Sequence, residues 1–209
     1  MAIKPILFNT EMVRAILDGR KSCTRRIVKP QQLIGMLPDK CKNGAPEEFL
    51  KEKKLMFKPY CDMTDIELIN TAYKAPYQPG DILYVRETFI QAAAHIFWYK
   101  ADDKPWISEG LRWKPSIHMP KEAARIWLKV TDVKMERLQE ITTESALAEG
   151  TDKYIHLNDK FDENAILTSF MSIWNSTIKN SDLDRYGWNA NPWVWVIEFE
   201  QCEKPKEEN

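Results

Sequence analysis

The run Gly19-Arg20-Lys21-Ser22-Cys23-Thr24-Arg25-Arg26 constrains this chain more than any other stretch, because it sets a lysine, a hydroxyl and three arginines directly behind a short helical pattern. From Arg20 to Lys29 there are five basic residues (Arg20, Lys21, Arg25, Arg26, Lys29) and no acidic one, in a chain whose formal net charge is −1. Such a local excess points to an anionic or electron-rich partner. Residues three apart on a straight strand face opposite ways, so Lys21 and Thr24 can meet only if the chain turns between them. Gly19 makes that turn feasible as a left-handed residue closing the preceding helix.

The elements around this run follow from periodicity. Pro5-Ile6-Leu7-Phe8 is short and apolar enough for a buried strand, and Asn9 or Thr10 can cap the helix after it. Met12, Val13, Ile16 and Leu17 recur at helical spacing, and Gly19 stops the pattern. A second strand from Thr24 to Val28 would put Thr24 and Arg26 on one face and Arg25 on the other. After the turn at Gly80-Asp81, the alternation from Ile82 to Phe89 sets Glu87 on an apolar face with Leu83 and Val85, and Arg86 on the opposite face. A carboxylate so placed is either raised in pKa by desolvation or held ionised by a cation. Lys21 is one candidate for that cation; an arginine on an adjoining strand is the other.

Between Pro30 and Pro79 the periodicity fades amid prolines and charges, which marks residues 31–78 as an insertion, either a solvated excursion or a lid over the Lys21/Thr24 region. Phe97 to Lys100 reads as a strand. Trp113 to Pro120 is irregular, with two prolines, Ser116 and His118; the histidine is either structural or a pocket group. Ile126 to Leu138 reads as a long strand with a bend or bulge past Asp132. Thr142 or Thr143 can cap a short helix ended by Gly150, and a longer helix is expected over 162–178, its apolar stripe more suited to core than to base stacking. Trp193 to Glu200 alternates as a final strand, and 204–209 reads as a frayed tail.

A chain of 209 residues with 44% hydrophobic and 11% aromatic content can bury a sizeable core, and its length favours one domain, over 1–203, carrying an insertion. No apolar run approaches the roughly 20 residues of a membrane span, and no signal peptide precedes Lys4-Pro5, so a soluble, cytoplasmic protein is expected. The four cysteines, at 23, 41, 61 and 202, form no C-x-x-C pair and have no nearby histidine partners. That spacing argues for reduced thiols and against a metal site, and no cofactor is expected.

The pattern G-x-K-x-x-T-x-R, here Gly19, Lys21, Thr24 and Arg26, resembles the signature of the ASCH domain family, small β-barrels related to the RNA-binding PUA domains. Gly80 to Phe89, Trp113 to Pro120 and Asn191 to Val196 resemble segments of the phage and prophage branch of that family, in the same order. The resemblance implies an α+β fold, a PUA-like, mostly antiparallel barrel of about six strands with flanking helices. It also implies a nucleoside or RNA partner. Some ASCH proteins are small amidohydrolases that remove the acyl group from N4-acetylcytidine with a threonine, a lysine and a glutamate, roles that map onto Thr24, Lys21 and Glu87. Arg26, Arg25, Arg86, His118 and Ser116 would then bind substrate. A noncatalytic binder of RNA or a modified nucleotide, and a ribonuclease, are the alternatives. A threonine nucleophile needs a base close by, and lysine serves only if its pKa is depressed.

Overall fold

A computed structural model describes residues 1–29, 75–102, 112–151 and 163–206. Most of the expected 31–78 insertion therefore lies outside the described residues. The strands are β1 (Ile3–Leu7), β2 (Cys23–Ile27), β3 (Ile82–Arg86), β4 (Phe89–Ala93), β5 (Ile96–Tyr99), β6 (Trp127–Arg137) and β7 (Trp193–Cys202). The helices are α1 (Thr10–Leu17), α2 (Thr143–Ala148), α3 (Glu163–Ser176) and α4 (Leu183–Tyr186), giving the expected α+β class. Five strands form one sheet in the order β1-β3-β6-β7-β2, and β4 pairs with β5 as a separate hairpin. All pairings in the large sheet are antiparallel except β1 with β3. The end strands β1 and β2 are linked by Arg26 Nη2, which donates to the Leu7 carbonyl at 2.9 Å.

Local chemistry accounts for most element ends. The Asn9 side chain accepts from the Met12 N–H and starts α1, leaving Val13, Ala15 and Ile16 buried. Gly19, at φ +73°, ends α1 in the left-handed region and turns the chain into β2. Thr142 accepts from the Ser145 N–H to start α2. The strand expected across Ile82 to Phe89 instead stops at Arg86, because Phe89 leaves the sheet to pair with Tyr99. The register of β6 against β7 shifts between Val130 and Asp132, just before the part of the strand where a bend or bulge is expected.

One core lies between α1 and the sheet, built on Phe8, Ile16, Leu83, Leu128 and Ile197. A second is made by α2, α3 and the start of β7, where Ile166, Phe170 and Trp174 form the buried stripe of α3 with Ala146 and Val194. The end of β2 touches both, with Ile27 packed against the second core and Val28, just after it, in the first.

At the start of β3, buried Asp81 accepts from Lys4 Nζ at 2.6 Å and from the N–H groups of Ala2 and Gln78 at 2.9 and 3.0 Å. Burial pushes its carboxyl up, but these bonds outweigh burial and hold it below its ordinary value. A depressed folded pKa contributes stability that is complete above the unfolded value of about 4 and lost as pH falls through the folded one. Asp81→Asn is therefore expected to lower the unfolding free energy at neutral pH and to flatten its decline below about pH 4, as read by urea melts across pH.

Candidate functional site

Lys21, just before β2, is 3% exposed, and its Nζ donates to Cys23 O at 2.7 Å, Glu149 O at 3.1 Å and Glu149 Oε2 at 2.6 Å. Those three bonds use all three ammonium hydrogens. Glu149 follows α2, and its backbone also forms a β-bridge with Lys21. The approach is that close because the next residue is Gly150, at φ +86°. A Cβ there would lie 2.7 Å from Ala15 Cβ and 3.4 Å from Lys21 Cβ.

The partner of Lys21 is thus Glu149, and the expected pairing with Glu87 is not what forms. Glu87, 1% exposed, instead takes both oxygens to Arg125, with Nε to Oε1 at 2.9 Å and Nη2 to Oε2 at 3.0 Å. Burial pushes the Glu87 carboxyl up, against the opposing pull of Arg125. Arg125 also binds Asp102 at 2.6 Å and stacks 4.0 Å from the Tyr99 ring centroid. The alternative for Glu87 was an arginine on an adjoining strand; its partner is an arginine, but one two residues before β6. The physical reason is placement, since Glu87 lies past the end of β3 beside the residues that lead into β6.

Thr24, 1% exposed, lines a cavity of about 30 Å³ with Glu149, Thr151, Arg26, Phe170 and Trp174. That volume holds about one water. A cavity of about 190 Å³ shares Met12, Glu149 and Ile173 with it and adds Asn9, Arg20 and Gly150. Among the described residues no hydrogen bond engages the Thr24 hydroxyl, which leaves it available to a ligand entering this pair of cavities.

The two adjacent arginines differ. All five N–H groups of Arg25 are engaged: Nε and Nη2 with Glu136 Oε1, Nη2 with Ser145 Oγ, and Nη1 with Glu149 Oε1 and Cys23 Sγ. It lines the Thr24 cavity as well, but with no N–H left unengaged. Arg26 also lines the Thr24 cavity, and its hydrogen bond to Leu7 O uses one donor only. Phe8 lies between cations, its ring centroid 5.5 Å from Lys21 Nζ and 5.4 Å from the Arg26 guanidinium carbon.

The other expected binding residues lie elsewhere. Arg86 Nε donates to Met119 O at 2.6 Å, while Ser116 and exposed His118 form a 3-10 turn. Neither Arg86, Ser116, His118 nor Glu87 lines the Thr24 cavity. Burial and the neighbouring Glu149 push the Cys23 thiol up to about 12, so it is no thiolate nucleophile at neutral pH. Among the described residues no cluster of three or more His, Cys, Asp or Glu could hold a metal ion, and no helix is long and apolar enough to cross a membrane.

No family model matches this sequence, and no curated protein does. Its structure is similar to that of an ASCH domain. The match is the crystal structure of the ASCH domain from Lactobacillus crispatus JV V101, at 11% identity and TM-score 0.35, covering 96% of this chain and 79% of that one. That likeness transfers no residue roles.

Glu149 is not marked as a partner of Lys21 by any motif or periodicity in the sequence. Its one available signal is a carboxylate following the last turn of α2, where the helix dipole disfavours negative charge and a cation is needed to hold it. Double-mutant cycles on unfolding free energy test the pairing. Lys21→Met with Glu149→Gln is expected to show coupling of about 1–3 kcal/mol, and Lys21→Met with Glu87→Gln coupling below about 0.5 kcal/mol.

Proposed function

We propose that this protein hydrolyses an acylated exocyclic amine on a cytidine-type base, with Thr24, Lys21 and Glu149 as its reacting set. The observation that carries this reading is the meeting of an unengaged, buried threonine hydroxyl and a lysine-bound carboxylate in one cavity. The substrate class rests on the resemblance of Gly19, Lys21, Thr24 and Arg26 to the signature of amidohydrolase-containing ASCH proteins.

The hydrogen-bond pattern supports the following roles. A fully donating ammonium has no lone pair to offer, so Lys21 is the orienting cation and Glu149 is the proton acceptor. Thr24 Oγ1 attacks the acyl carbon while its proton passes to Glu149. The carbon–nitrogen bond to the base breaks as Glu149 returns that proton to the leaving amine. Water then attacks the threonyl ester, again deprotonated by Glu149, releasing the carboxylic acid and restoring the hydroxyl. Arg26 supplies guanidinium donors to the base or to the developing oxyanion. The larger neighbouring cavity, lined by Asn9, Met12, Arg20, Glu149 and Ile173, offers more room for the base.

The test is direct. Purified protein incubated with N4-acetylcytidine should release cytidine, followed by chromatography. Thr24→Ser should retain turnover and Thr24→Val abolish it, and Glu149→Gln should lower kcat by about 10²–10⁴-fold whereas Glu87→Gln should not. Cytidine release that persists in Thr24→Val would refute the nucleophile. Binding of the nucleoside without any turnover would replace catalysis with the noncatalytic binding role.

A further inference from the structure

We propose that Arg25, braced by Glu136, is a positioning residue that holds the Glu149 carboxylate in its working orientation. This rests on the reading of Glu149 as the proton acceptor. Arg25 and Glu136 belong to β2 and β6, the strands on either side of β7, where Arg25 stands opposite Val196 and Glu136 opposite Val194. Opposed residues of antiparallel strands share a face, and so do residues two apart, so Arg25 and Glu136 rise from the same face and meet across β7. The Arg25 fork closes on Glu136 Oε1 at 3.1 and 2.6 Å, and its Nη1 reaches Glu149 Oε1 at 3.3 Å.

Glu149 is therefore gripped at both oxygens, by Lys21 on Oε2 and by Arg25 on Oε1. The grip has two consequences. It fixes the carboxylate plane, since one cation alone would leave it free to rotate about its last bond. It also sets the charge balance, because two cations on one carboxylate would leave an uncompensated positive charge in a buried place, and Glu136 supplies the second negative charge. The longer contact to Glu149, beside the shorter ones to Glu136, marks Arg25 as tethered to Glu136 and steering Glu149. The side chain of Arg25 is 1% exposed and has no free N–H, so it acts through Glu149 and not on substrate. Lysine has no planar fork and cannot bond Glu136, Ser145 and Glu149 in the same way.

Two variants and two readouts test this. Arg25→Lys and the near-isosteric Glu136→Gln are expected to lower kcat on N4-acetylcytidine by about tenfold with KM unchanged, and to have no further effect in a Glu149→Gln background. The second readout does not need turnover. The Lys21 ammonium, held by three acceptors, should give a resolved proton–nitrogen resonance at low temperature, identified by its loss in Lys21→Met. Glu136→Gln should displace that resonance. A purely structural role would lower the melting temperature while leaving kcat and the Lys21 resonance in place, and that result overturns the proposal. If the parent protein releases no cytidine, the hydrolase reading fails, and the resonance alone decides whether Arg25 and Glu136 position Glu149.

Discussion

Four buried or half-buried charges, Lys21, Arg25, Glu136 and Glu149, lock together where β2, β6 and the end of α2 converge, and the local architecture is arranged to let them meet. Burying such groups costs several kcal/mol per ion unless each is paired and its remaining hydrogen-bonding capacity is used. Here the capacity is used in full on the cation side, with every N–H of Lys21 and Arg25 engaged. The left-handed turn at Gly19 delivers Lys21, and the missing side chain of Gly150 lets Glu149 approach it beside Ala15. Two positive-φ glycines, far apart in the chain, therefore serve one ion pair.

The features that were legible in the sequence are those whose cause is local. Asn9 and Thr142 cap their helices, Gly19 and Gly150 end theirs in the left-handed region, and the period of Ile166, Phe170 and Trp174 gave the buried face of α3. An irregularity close to the Val130/Asp132 bulge was readable because the alternation slips near that point. The parallel pairing of β1 with β3 was not, since alternation reports which face a residue takes and not the direction of the neighbouring strand. Nor was the division of the strands into a five-stranded sheet and a separate two-stranded hairpin, which depends on Phe89 finding Tyr99 and Lys114.

The carboxylate that pairs with Lys21 is Glu149, where the sequence offered Glu87. Glu87 and Glu149 are both buried acids, and each takes the cation that its own backbone places nearest, Arg125 for Glu87 and Lys21 for Glu149. A partner 128 positions away leaves no trace in local periodicity. Adjacent Arg25 and Arg26 look equivalent as letters and both line the Thr24 cavity, yet one is engaged at every N–H while the other has most of its donors unspent among the described residues. Counting donors against acceptors separates them where charge alone could not.

In the proposed hydrolysis Thr24 becomes covalently acylated while Glu149 carries the proton. Mixing protein with excess N4-acetylcytidine, quenching in acid within the first turnover and mapping peptides by mass spectrometry tests it most directly. The account expects one acetyl group in ester linkage on the peptide bearing Thr24, formed far more slowly by Glu149→Gln. Rapid cytidine release with no acetyl on Thr24, or with acetyl on another residue, would contradict it.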